Sequence, residues 1–235
     1  YYVRQLQRAA RAEALTAREV VVVDHDASCS VARALRTSDG ERADEPLPVI
    51  LATADWHDYF DEYLAAAGEA RDAAEDAIVP SPLMPHLMFD WLLRRARARW
   101  PERGVEKRPL GREPNIPWQR ADAGGTHYVS FAEWVCPINC IEPAICPEIR
   151  GPRTWSMPPA VRAYVNAERA RGRRLVGPAL FHCTHRAYGV GMFDTADVLA
   201  ADALVTSQAA RGDVEVLVGT VSHCHGALDV LRVGP

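Results

Sequence analysis

No apolar run in this 235-residue chain approaches the roughly 20 residues that a membrane-spanning helix needs, and no stretch has the layout of a signal peptide. Neither sign of charge dominates, because 27 Lys and Arg stand against 31 Asp and Glu for a formal net charge of -4. That balance gives no general attraction to phosphate backbones, and Arg-rich patches such as "LLRRARARW" are offset by acids elsewhere, which excludes nucleic acid as a partner. No segment of one half is echoed in the other, so repeat architectures are excluded as well. A starting methionine is also missing: the chain opens at Tyr1 in "YYVRQLQRAARAEALTARE", where Val3, Leu6, Ala9 or Ala10 and Leu15 fall on one helical face, and a segment upstream of Tyr1 is therefore expected. What remains, 48% hydrophobic and 25% charged, is ordinary globular composition, and the chain reads as soluble and cytoplasmic.

Against that plain background the cysteines stand out. Three of the six lie in "EWVCPINCIEPAICPEI" (Cys136, Cys140, Cys146), and two more sit beside histidines in "FHCTHR" (Cys183) and "SHCHG" (Cys224). A chain of this length does not need disulfide stapling, and clustering with His suits reduced, metal-ligating thiols better. Prolines 137, 143 and 147 forbid a regular helix or central strand, so the cysteine stretch is expected to be an irregular loop. Cys29, His25, His57 and His86 carry no such pattern and read as structural or exposed.

The first half alternates strand and helix patterns: "EVVVVDHD" as a strand buried on both faces, "LPVILATADW", the amphipathic "HDYFDEYLAAAGEARDAAE", "DAIVPSP", and the helical "HLMFDWLLRRARAR". This order predicts an α/β layer with a mostly parallel sheet. Over about residues 1–95 it resembles the NAD(P)-binding Rossmann domain of the TrkA potassium-uptake type. There the second strand ends in an acid, here "VVVDHD"; a later strand gives a turn like "ATADW"; and a short strand follows a helix, here "DAIVPSP". The resemblance implies that Asp24 matches the acid that hydrogen-bonds the adenosine ribose, and that NAD(P) is a possible cofactor. The family's glycine-rich phosphate loop would lie ahead of the opening helix, before Tyr1.

The charged, proline-bearing segment 100–128 reads as a linker or long excursion. Two units are therefore expected: a Rossmann-like domain over 1–110, and a smaller α/β unit over 111–235 that carries the Cys and His. In the second unit "PPAVRAYVNAERARGR" reads as a helix, "RLVGPALFHCTHRAYGVGMF" as a strand, "DTADVLAADALVTSQAARG" as a helix with an Asp or Thr cap, and "DVEVLVGTVSHCHGALDVLRV" as a long strand or a pair. Strand alternation would put Cys183 and His185 on one face with His182 opposite, and His223 and His225 on one face with Cys224 opposite. If the strands are neighbours, one of these sets converges on the cysteine loop, and a one-residue change of register decides which.

The expected metal ligands are accordingly Cys136, Cys140, Cys146, Cys183, Cys224, His182, His185, His223 and His225. The C-x3-C-x5-C spacing with Cys-Pro twice resembles looped iron–sulfur ligation, with Cys183 or Cys224 as the fourth thiolate of a [4Fe–4S] cluster; Cys136 and Cys140 also fit a zinc knuckle. Lesser readings are a Cys183 nucleophile with His185 or His223 and acid support from Glu142, and a hydrolytic zinc held by His182, His185, His223 and a carboxylate. The expected function is a metal-binding redox protein, an iron–sulfur electron-transfer or accessory subunit of a larger oxidoreductase complex, partnered by other subunits. The alternative is a non-catalytic assembly or regulatory protein with a structural zinc site.

Overall fold

The run "VEVLVGTV" has no polar face to offer water, and the architecture follows from burying it on both sides. The computed structural model describes residues 1–37, 45–69, 75–81, 84, 86–137 and 140–235. Numbered along the whole chain, this run is β12 (Val214–Val221), at the heart of a six-stranded sheet. On one side it pairs antiparallel with β13 (His225–Val233), on the other in parallel with β9 (Leu175–His182). The far edge of β13 takes β4 (Val105–Arg108) and then β6 (His127–Ser130), and β5 (Trp118–Ala121) closes that end. The segment 100–128, expected as a linker, thus supplies two of these strands and the start of a third.

Helices cover both faces. α4 (Leu87–Arg99) and α6 (Thr195–Ala209) pack on Val216, Val218, Phe181 and Leu231; α5 (Met157–Ala170) packs on Leu217, Val221, Leu228 and Val230. The alternation of Val216, Leu217 and Val218 between the two clusters is the period-two pleat of a doubly covered strand. The arginines of α4 are not a free patch: Arg94 pairs with Asp61, and Arg95 and Arg99 with Asp202 of α6.

The N-terminal half departs from a Rossmann domain. β1 (Val20–Asp24) and β2 (Val49–Thr53) do pair in parallel, but they form a separate two-stranded sheet, and Val21 and Ile50 are exposed. The strand expected to extend them, β3 (Ala77–Ile78), instead pairs antiparallel with β11 (Val190–Asp194), which forms a hairpin with β10 (Thr184–Ala187). Two residues of β3 carry too little apolar surface to compete for a buried place beside β1, and the hairpin edge takes them. Among the described residues, parallel pairing is confined to β1 with β2 and β9 with β12, so the fold is a mixed, mostly antiparallel α/β arrangement and not a Rossmann-like parallel sheet. The opening helix is as expected, α1 (Tyr2–Arg11), and it buries Leu6 and Ala9 against Ala187, Val190 and Met192. The segment read as one strand over 174–193 is three strands, β9 to β11. α2 (Ser30–Thr37) and α3 (Trp56–Glu69) complete the first half. No helix among the described residues is long and apolar enough to cross a membrane.

One buried polar cluster interrupts the apolar layer under α4. β4 pairs with residues 230–233 of β13 and β6 with residues 225–228, which leaves Asp229 at the junction. Its carboxylate accepts from Thr126 (3.1 Å) and lies 2.9 Å from the Lys107 ammonium and 3.4 Å from His86 Nε2. Burial pushes Asp229 up to about 7 even against the pull of Lys107, and burial holds His86, which is hydrogen-bonded to Thr220, down to about 3.

Two measurements check this account. Gly177 has φ +98°, and a Cβ there would sit 2.8 Å from Ala179 N and 2.9 Å from Leu217 O, at the irregularity where β9 shifts register on β12. Gly177→Ala should cost about 2 kcal/mol or more, read as a lowered urea midpoint. Because the folded chain holds the Asp229 proton more tightly than the unfolded chain does, this carboxyl lowers stability as pH rises from about 4 to about 7, with no further change above. Asp229→Asn should therefore show a shallower fall in unfolding free energy over that window than the unsubstituted protein.

Candidate thiol and imidazole site

The two Cys/His clusters meet because β9 and β12 run side by side and end together. His182 lies opposite Val221 in the ladder, and Cys183 N donates to Val221 O at 2.7 Å. After His182 the chain turns into the β10–β11 hairpin; after Val221 it turns through Ser222–Cys224 into β13. The cysteine loop is bonded through Glu142 to the Ser222–Cys224 turn and shares a cavity wall with Cys183 and His185. It is irregular as its prolines require, apart from the two-residue strands β7 (Ile145–Cys146) and β8 (Gly151–Pro152), which pair with each other.

Glu142 ties the loop down. It is buried with φ +50°, and its carboxylate accepts from Ser222 Oγ (2.5 Å), His223 N (2.7 Å) and Cys224 N (3.2 Å). A carboxylate that accepts consecutive backbone N–H groups of a turn replaces the water those donors lose on burial. The sequence reading weighed this residue only as support for a nucleophile. The "SHCH" turn is the signal for its larger role, since a Ser-led turn presents unpaired N–H groups.

Beneath the loop lies a cavity of about 270 Å³ lined by Cys136, Cys140, Glu142, Cys183, His185 and His225, with Pro137 and Ser222 completing the wall. Cys183 and His185 share it, although Cys183 lies between β9 and β10 and not within one continuous strand. His223 and His225 do not share a face: His223 lies in the turn outside both strands, where period two does not apply. It packs edge-on against His182, ring centroids 4.9 Å apart, and its Nδ1 is hydrogen-bonded to Ser156 Oγ at 2.9 Å. Cys224 is buried elsewhere, its sulfur accepting from Trp155 Nε1 at 3.3 Å. Cys146 does not line the cavity. His225 Nδ1 is held by Ser130 Oγ at 3.0 Å.

Burial favours the uncharged form of several of these donors. Burial pushes the Cys183 thiol up to about 12 and Cys224 up to about 11. Cys136 is also raised, by burial first and then by the adjacent Cys140. Burial lowers His182, His223 and His225. Each of these shifts follows from withdrawing the charged form from water.

No grouped metal site drawn from the nine candidate ligands is seen among the described residues. Among the described residues, no three His, Cys, Asp or Glu side chains are grouped so that they could hold a metal ion. His182 and His223 pack edge-on with His223 Nδ1 hydrogen-bonded to Ser156, Cys224 accepts from Trp155, and Cys136, Cys140, Cys183, His185 and His225 line the cavity. Asp24 lies at the end of β1, far in the chain from this site, and its Oδ1 accepts from Asp26 N at 2.9 Å. Without the Rossmann sheet, its assignment to an adenosine ribose has no support.

Glu142→Gln turns one acceptor into a donor facing an N–H group. The expected cost is about 1–3 kcal/mol, with faster hydrogen exchange at the His223 and Cys224 amides and faster reaction of the loop thiols with a thiol reagent.

No curated protein and no solved structure matches the chain. The family model that matches is not a Rossmann or TrkA one, and it spans residues 88–234, which takes in α4, the whole six-stranded sheet and the thiol-lined cavity. By that match over more than half its length, the chain belongs to the AF_1314_C family, described as "Uncharacterized protein, C-terminal domain".

Proposed function

We propose that the chain is a redox protein whose reactive couple is the Cys136–Cys140 dithiol. The observation that carries this reading is one open cavity lined by three free thiols, two of them neighbours across a short turn closed by Cys140 N donating to Pro137 O at 2.9 Å. Oxidation breaks two S–H bonds and forms one S–S bond. The two electrons pass to a disulfide of a partner molecule, which is reduced to two thiols, and the protons balance through thiol–disulfide exchange. His225 lines the same cavity, and its lowered pKa favours the form that can accept a proton.

The loop that carries the couple also presents Val135, Ile141, Ile145 and Ile149 to solvent, with Val135 96% exposed. Apolar side chains gathered around a reactive opening favour a protein partner over a small molecule, and this supports a role as one subunit of a larger oxidoreductase assembly.

Free thiols counted on anaerobically purified protein across graded ratios of reduced to oxidised glutathione test the reading. Two thiols should be lost together in one two-electron step, and Cys140→Ser should abolish that step while Cys29→Ser leaves it intact. Iron or zinc bound at one site per chain and lost in Cys140→Ser would overturn the dithiol couple and assign these thiols to an iron–sulfur or zinc cofactor instead.

A further inference from the structure

The opposite end of β9 and β12 carries a second cavity, of about 340 Å³, floored by Leu175, Val176 and Val214. Its rim is formed by Arg169, Arg173, Arg174, Gln208, Arg211 and Asp213. Four guanidiniums around one opening are out of keeping with a chain whose net charge is -4.

Structural duties account for only part of this charge. α5 and α6 both end here, and their last carbonyls favour cations. That need is met by other donors. Arg103, from behind, donates to Ala209 O (2.7 Å) and Gly212 O (3.1 Å) and lies 3.5 Å from Asp213, so it also neutralises the one acid on the rim. Arg169 donates to Leu175 O at 2.6 Å. Arg173 is held by Glu215 at 2.8 Å and Glu168 at 3.4 Å. Among the described residues, no carboxylate is paired with Arg169, Arg174 or Arg211, and the guanidiniums of the last two have neither a hydrogen bond nor an ion pair, Arg211 bonding only through its backbone N to Gln208 O. Several guanidiniums left over at a concave site, each with parallel N–H donors, match the oxygens of a phosphoryl group better than a single carboxylate.

We infer that this cavity binds the phosphoryl end of a small phosphorylated molecule, with Arg174 and Arg211 as the principal contacts and Gln208 as a neutral donor beside them. The apolar floor of Leu175, Val176 and Val214 would take the rest of the ligand. The inference is independent of the dithiol, which lies at the other end of the sheet.

Calorimetric titration with inorganic pyrophosphate at low, fixed ionic strength tests it. Saturable binding to one site is expected. Arg174→Ala and Arg211→Ala, both at exposed positions, should each weaken binding roughly tenfold or more, with the thermal midpoint of the free protein unchanged. Arg120→Ala, an exposed arginine on β5, should leave binding as it was. Absence of binding, binding unaltered in the Arg174→Ala, Arg211→Ala double variant, or an equal loss in Arg120→Ala would each overturn the proposal; the last would show attraction to positive charge in general.

Discussion

Everything in this molecule is arranged around the burial of β12. A strand with Val214, Val216, Leu217, Val218 and Val221 all buried must have a partner on each edge and a helix layer on each face. The edges are supplied by β9 and β13, the faces by α4 with α6 and by α5. Because β9 is parallel to β12, their C-terminal ends coincide, and so do their N-terminal ends. The two cavities lie at those two ends, one lined by thiols and imidazoles, the other by guanidiniums.

At the thiol end, order comes from a carboxylate and not from apolar packing. The loop that carries Cys136, Cys140 and Cys146 exposes Val135, Ile141, Ile145 and Ile149, so burial of these side chains does not hold it. Glu142 does so instead, by accepting three hydrogen bonds from the turn between β12 and β13. The polar cluster of His86, Lys107 and Asp229 works by the same logic in the core, where β4 and β6 meet end to end along β13 and leave a gap that apolar side chains do not close. In both places a buried carboxyl accepts hydrogen bonds from its neighbours, but at Asp229 the acceptance is incomplete, and burial raises its pKa to about 7.

How much of this could be read from the sequence varies with the kind of signal. α1, α4, α5 and α6 were legible because their apolar spacing covers ten or more residues. The irregular cysteine loop was legible from its prolines. Cys183 and His185 do share a cavity, but the single strand from which that was expected is broken at Cys183. Strand alternation misplaced His223, because "SHC" is a turn, and nothing local distinguishes a strand end from the turn after it. The strand patterns of β1, β2 and β3 suggested a parallel Rossmann sheet, yet apolar runs carry no record of their partners, and β3 is claimed by a hairpin more than a hundred residues away.

Composition and local chemistry by themselves determined that no apolar run is long enough for a membrane-spanning helix, that two cysteines sit among histidines in two clusters, and that a proline-rich loop carries three more thiols. These are properties of neighbouring residues, and neighbours are what a sequence displays. Which thiols share a cavity, which histidines pack against each other, and that arginines from two helix ends and the loops beyond them surround a second opening were decided only by tertiary structure. The physical reason is strand register: whether His182 stands opposite Val221 or one residue further along is settled by how both faces of the whole sheet bury their side chains at once.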